Sequence, residues 1–380
     1  GGGGGGGGTP LPDYDQDKFV DVEEKFVGTS LVAADTKPLY DIKAYSYLSK
    51  ATDVKQNNYA ADPVNVRTGS FEFTQTDFSL PGRGFPIDFT RTYNSKTQDR
   101  ANRFGRGWNF SYNQFYYQDP TTKDVQVYNG GALVALFETD DGGQIFRPAP
   151  GEYDSFYKEN GFFVYKTLSG VKYVFSEVLT NNLGLLEKII DTNGNATLFS
   201  YSIARDLPLL TTVSDASGRS IQLIYGSSED DLRWDKVAQL RDLANPTAPR
   251  VVDYEYDGNG YLIHVKGNRS YAGATDFIDR YFTYDGNGRM LTYTDPRGTV
   301  LHNKYDSEGR VIEQSEFNPD RDPVGSPRLI YKLTHEGADP AVSGSTHCAL
   351  VENYRDATET YSLRSCFNAD ELKIYERDGE

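Results

Sequence analysis

Sulfur and indole are nearly missing from this sequence: its 380 residues hold one methionine, two cysteines and two tryptophans. The methionine is Met290, so residue 1 is not an initiator, and the natural chain is expected to continue past both ends. Gly1 to Gly8 form a homopolymer that reads as a flexible spacer or an artificial stretch. The cysteines, Cys348 and Cys366, form no C-x-x-C pair, and a zinc site would need help from His347 or another residue. One disulfide would suit a secreted protein and two buried thiols a cytosolic one; spacing alone leaves both open.

Other absences narrow the function. Only four histidines occur, His264, His302, His335 and His347, and none sits in H-E-x-x-H or another ligand spacing. No apolar run nears the ~20 residues of a membrane-spanning helix, and no charged-then-apolar signal peptide is present. Basic residues are outnumbered 39 to 55, giving a net charge of −16, so the average field repels nucleic acid and anionic membranes. There is no G-x-S-x-G elbow, phosphate-binding loop or nucleotide fingerprint, and no carboxylate pair stands out as a glycosidase dyad. Catalytic residues, metal sites and cofactors are therefore not expected. Helical periodicity is missing too; Asp231–Leu243 is the best helix candidate, and its pattern is poor.

What is abundant points one way. The chain carries 28 Tyr, 21 Phe, 37 Gly and 17 Pro. Aromatic and β-branched residues suit pleated, half-buried surfaces, while Gly and Pro supply turns. The fold class expected is all-β. Residues 1–60 read as the glycine run plus an extended polar leader, with Thr29–Ala33 a short strand. Residues 61–115 read as a β module: Ser70–Thr74, Thr76–Leu80 and Phe85–Tyr93 alternate apolar and polar, broken by Gly69 and by the turn Pro81-Gly82-Arg83-Gly84. Trp108, Phe110 and Tyr112 continue at period two. Residues 116–185 read as hairpins, with turns at Asn129-Gly130-Gly131, Asp140–Gly143, Glu159-Asn160-Gly161 and Ser169-Gly170.

From residue 186 the chain repeats. "LEKIIDTNGNATLFSYS" (186–202) aligns with "LTTVSDASGRSIQLIYG" (210–226), and "YEYDGNGYLIHVKG", "FTYDGNGRMLTYTDPRG" and "NKYDSEGRVIEQS" follow. A self-similar unit of this size implies a repeat architecture in which each unit buries its face on its neighbours. Residues 186–318 are the repeat region, with Arg241–Arg250 and Gly267–Asp279 read as loop insertions. Residues 319–380 are an irregular continuation that includes the cysteines and ends in what resembles another unit, "LKIYERDGE". The Asp-rich turns mimic calcium loops, but from Asp191 the sixth and twelfth positions are Ala196 and Ser202, which fails the EF-hand pattern. Asn-Gly and Asp-Gly turns tolerate positive φ and fit hairpins. Each turn Asp is expected to accept bonds from turn amides, and each Tyr to pack on the sheet with its hydroxyl on a polar partner.

The tail of the unit resembles the tyrosine-aspartate (YD) repeat of Rhs proteins. Tyr284-Asp285 with Gly288-Arg289 and Tyr305-Asp306 with Gly309-Arg310 match fully; Tyr256-Asp257 with Gly260 departs at Tyr261, where the repeat has Arg. The segment "DPVNVRTGSF…TDFSLPGRGFPIDFTRTYNS…FGRGW" is similar to the module that opens the repeat region in this family. The resemblance, over about residues 61–318, implies an antiparallel ribbon spiralling into a hollow β-shell. In related bacterial toxins that shell encloses a C-terminal toxic polypeptide; wall-associated surface proteins and teneurins share the repeat. The family's autoproteolytic segment, Asp-Pro-x-Gly-Leu, is matched by Asp322-Pro323-Val324-Gly325-Ser326 except at the last position, and the segment is read as a turn. The expected function is a non-enzymatic wall in a secreted or surface-exposed bacterial protein. Its partners would be the rest of its own polypeptide, further repeats and a C-terminal cargo. The alternative is an extracellular adhesin or fibre component binding glycans or identical subunits through its tyrosines.

Overall fold

The computed structural model describes residues 59–379, apart from residues 61–62, 99–101, 131, 140–141, 150–151, 178–181, 206, 227–233, 245–248, 272–273, 323–325, 355–359 and 370–372. The strand expected over Thr29–Ala33 lies outside the described residues, as do Pro323, Val324 and Gly325 of the Asp-Pro-x-Gly segment. Every regular element among the described residues is a strand. Pairing is antiparallel throughout and runs almost entirely between sequence neighbours. Alternating side chains with a glycine turn every few residues can do little else, since each hairpin closes on the strand just made.

The strands form a five-stranded sheet from Tyr59 to Phe110 and a 22-stranded sheet from Gln114 onward. Where the sequence suggested two runs, Ser70–Leu80 is one strand interrupted by a bulge: Thr76 faces Thr90 and Phe78 faces Phe89, leaving Asp77 extra. The helix candidate Asp231–Leu243 is also overturned, for Val237–Asp242 is a strand paired on both sides. Its neighbours offer ladder bonds that a poorly amphipathic helix could not match. The insertion Gly267–Asp279 is not a loop either. It extends two strands, Leu262–Tyr271 and Ala274–Tyr284, which pair with each other out to Tyr271 and Ala274.

One strand joins the two arms of the large sheet. In Leu183–Ile190, residues 183–185 pair with Phe115–Tyr117, while later residues pair with Lys172–Phe175 and Ala196–Leu198. The ribbon has unequal faces. On one, Val213, Ile221, Leu240, Val252, Val265 and Phe282 are buried, and the five-stranded sheet lies over them with Phe73, Phe89, Phe104 and Trp108. On the other, Leu198 and Tyr281 remain exposed among threonine pairs and lysine–glutamate pairs.

Candidate functional site: the turn edge and its cap

Six tight turns of the repeat region are built alike. In Tyr284-Asp285-Gly286-Asn287-Gly288-Arg289, the Asp285 Oδ1 accepts the amides of Asn287 (2.9 Å) and Arg289 (2.8 Å). The Gly288 amide donates to the Asp285 carbonyl, and Gly288 adopts φ +79°, the left-handed conformation that favours glycine. Asp191, Asp215, Asp257, Asp295 and Asp306 repeat this pattern. Burial raises the Asp215 and Asp306 carboxyls, but the turn amides and Arg219 or Arg310 outweigh it and hold both below the usual carboxylate range. Both amide bonds land on one carboxylate oxygen, so these turns close on themselves.

The tyrosines do something the turns do not reveal. Tyr201, Tyr225, Tyr256, Tyr284 and Tyr305 each sit where the register slips, opposite Leu210, Val237, Leu262, Met290 and Val311. A bulge disrupts the ladder locally, and these five partners are buried, beyond the reach of water. At each, the carbonyl accepts a hydrogen bond from the next unit. The Tyr225 hydroxyl donates to Leu210 O (2.9 Å) and Tyr256 to Val237 O (2.8 Å). Tyr284 donates to Leu262 O (2.7 Å) and Tyr305 to Met290 O (2.8 Å). The fifth link changes chemistry: His335 Nε2 lies 2.8 Å from Val311 O. Turns lacking the Tyr-Asp pair, at Asp191, Asp215 and Asp295, have no register slip.

The residue after the turn glycine also reaches forward. Arg289 binds Asp285, donates from Nη1 to the Asp306 carbonyl (3.0 Å) and lies over the Tyr305 ring. Tyr261 does the same with an aromatic ring, stacking on Tyr284 at 4.8 Å and closing on Gly288. The departure from the repeat pattern at Tyr261 is thus a substitution of ring for guanidinium over the same neighbour.

The amides of three slipped residues are met by the five-stranded sheet and the loops between its strands. Val237 N donates to Arg103 O, Val311 N to Gly69 O, and Met290 N to the Tyr93 hydroxyl at 2.9 Å. Arg106 N donates to Gly260 O, one turn away from Leu262. At the opposite edge, Leu80 O accepts from Arg219, while Gly82 and Gly84 lie against the Asp215 and Asp191 turns. Under this cap is a buried ion pair. The bulge aims Asp77 inward, where Arg91 donates to it from Nε (2.5 Å) and Nη2 (2.9 Å), both side chains fully buried. The ribbon's Tyr254 hydroxyl donates to the same carboxylate at 2.6 Å, and burial first, then the charge of Asp77, pushes that hydroxyl well above its ordinary value. The Arg91 guanidinium lies 4.7 Å from the Trp108 ring centroid.

Cys348 and Cys366 face each other across two strands and are joined as a disulfide. With Asp339 they form the one His/Cys/Asp/Glu group among the described residues close enough to hold a metal ion. Sulfurs bonded to each other offer no thiolate to a metal. The Asp-rich turns put both amides on their carboxylates instead of converging oxygens. Sequence reasoning reached the turn residues but missed Tyr201, Tyr225, His335, Asp77 and Arg91. Only the first two left a signal, at matching positions in the aligned segments 186–202 and 210–226.

A family model described as a domain of unknown function (DUF6531) matches residues 61–132. Among curated proteins, the chain is similar to the tRNA(Glu)-specific nuclease WapA of Bacillus subtilis subsp. natto, at 25% identity over 281 residues. It is similar also to the tRNA nuclease WapA of Bacillus subtilis strain 168, at 26% identity over 281 residues. Each match covers 66% of this chain and 11% of the relative. These matches support an Rhs-type YD-repeat family. The solved Photorhabdus luminescens Tc holotoxin pore aligns over 68% of this chain and 18% of its own, at 11% identity and TM-score 0.29. In this YD-repeat chain, the Asp closes the turn and the Tyr binds one unit to the unit before it.

Proposed function

We propose that this YD-repeat chain is a wall segment: a non-enzymatic part of a larger β-shell, in a secreted or surface-exposed protein, that encloses a polypeptide of its own chain. The observation that carries this reading is the tyrosine relay. Each hydroxyl satisfies a buried carbonyl of the preceding unit, so hairpins are fastened in series and the sheet can be lengthened without new design. Enclosure needs such a sheet, packed and continuous, more than it needs reactive side chains. The disulfide fits an oxidising compartment. The YD tyrosines favour the wall over a glycan-binding face, because their hydroxyls are already engaged and Tyr256 is buried. The nuclease names of the WapA relatives belong to proteins of which this chain spans 11%.

The test is limited proteolysis of the full native polypeptide. Segments downstream of the repeats should resist protease in the intact protein and become cleavable when Tyr256→Phe and Tyr284→Phe break two links of the relay. Free digestion of the downstream chain in the intact protein would sink the reading.

A further inference from the structure

Four links of the relay are tyrosine hydroxyls and the fifth is an imidazole. We propose that the link from His335 to Val311 is a pH-sensitive joint of the ribbon, closed near neutrality and loosened in mild acid. The inference goes beyond the wall function and does not depend on what the wall encloses.

A carbonyl oxygen only accepts, so the bond at 2.8 Å fixes the proton of neutral His335 on Nε2. Acid then adds a proton at Nδ1. The bond to Val311 survives that step, but a charge appears in a half-buried site. The groups around it decide its cost. Arg310 and Lys96 are cationic, Asp306 is anionic, and Lys96 Nζ already donates to Glu308 O on the same turn. On the paired strand, Ala349 stands opposite, and its neighbour on that face, His347, stacks on Phe367. Both carboxylates of the turn have cationic partners, since Arg310 binds Asp306 and Glu308. A new cation at His335 therefore meets repulsion without a free counter-charge among these groups.

The imidazole is held below its ordinary value by burial first; the Val311 bond and Asp306 oppose that, while Arg310 and Lys96 reinforce it. A base whose folded value is lowered binds more protons when unfolded, so stability rises with pH across that window. The joint's contribution is complete above the free-histidine value of about 6.5 and falls away below it. The tyrosine links cannot do this, because burial pushes Tyr256, Tyr284 and Tyr305 well above their ordinary value and keeps them neutral. The turn carboxylates Asp215 and Asp306 are held below the usual carboxylate range by the turn amides and Arg219 or Arg310, so they stay charged across the window.

The experiment is amide hydrogen exchange on the full chain at about pH 7.5 and about pH 5, corrected for intrinsic rates. In the wild type, protection of Val311–Phe317 and Arg328–Gly337 should fall several-fold at the lower pH. In His335→Tyr, which restores a hydroxyl donor that cannot charge, protection should hold. An equal fall in both proteins overturns the proposal. Should His335→Tyr not fold, titration of the wild-type imidazoles by NMR decides: a His335 midpoint below that of free histidine supports the joint, and one at or above it overturns it.

Discussion

A phenol hydroxyl aimed at a buried carbonyl is the smallest part from which this ribbon's continuity is made. Tyr284 donates to Leu262 O and accepts from Trp108 Nε1 at 3.0 Å, so its oxygen joins three segments far apart in sequence. Removing it leaves a buried acceptor unpaired, which costs about 1–3 kcal/mol. Tyr284→Phe should therefore lower unfolding stability by that amount in a denaturant titration, while Tyr281→Phe, on the exposed face, should change it by under about 0.5 kcal/mol. A small effect at both positions would mean that the relay adds nothing. Legibility at this scale follows distance along the chain. The Asp285 turn could be read because its bonds span only two to four residues. The bonds from Tyr254 to Asp77 and from Met290 to Tyr93 cross 177 and 197 residues, and no local pattern encodes them.

Between elements, steric fit decides where a strand can sit. Gly184 pairs with Tyr116, and a Cβ at that glycine would lie 1.9 Å from the Tyr116 ring. Gly184→Ala should loosen the junction between Gln114–Gln118 and Leu183–Ile190, costing about 1–3 kcal/mol. Gly286→Ala, facing open space in the Asp285 turn, is the control and should be nearly silent in the same thermal melt. Equal shifts for both would contradict the close approach. The strands themselves were legible where alternation was clean, as in Ile87–Asn94, or where glycine turns bracketed an aromatic run, as in Phe162–Lys166. Three misreadings share a cause. Asp77 within Ser70–Leu80, the supposed helix at Val237–Asp242 and the supposed loop at 267–279 are all settled by the neighbouring strand, and a single sequence does not show its neighbours.

Across the molecule, the cap changes how a repeat array should unfold. Repeats that touch only their neighbours can open one at a time. Here the chain from Gly69 to Arg106 bonds to residues between 219 and 311, bridging many hairpins at once. The described body should thus unfold in one transition. With Trp234→Phe, Trp108 is the sole indole and reports from beneath the cap. Its fluorescence and the far-ultraviolet circular dichroism should coincide along a urea titration. Asp77→Ala should separate the two curves, the indole responding first, because it strands the Arg91 charge in the interface. Coincident curves in the variant would show that the ion pair does not hold the cap.

The slipped register at Tyr225, Tyr256, Tyr284 and Tyr305 carries a rule of parity. Successive hairpins turn at alternate borders of the ribbon, so all of these tyrosines lie along one border. A chain that gained a single strand would send every later tyrosine to the far border, away from the carbonyl it must meet. Growth and loss of such a ribbon are confined to steps of two strands, and a recombination point that respects those steps keeps every link intact.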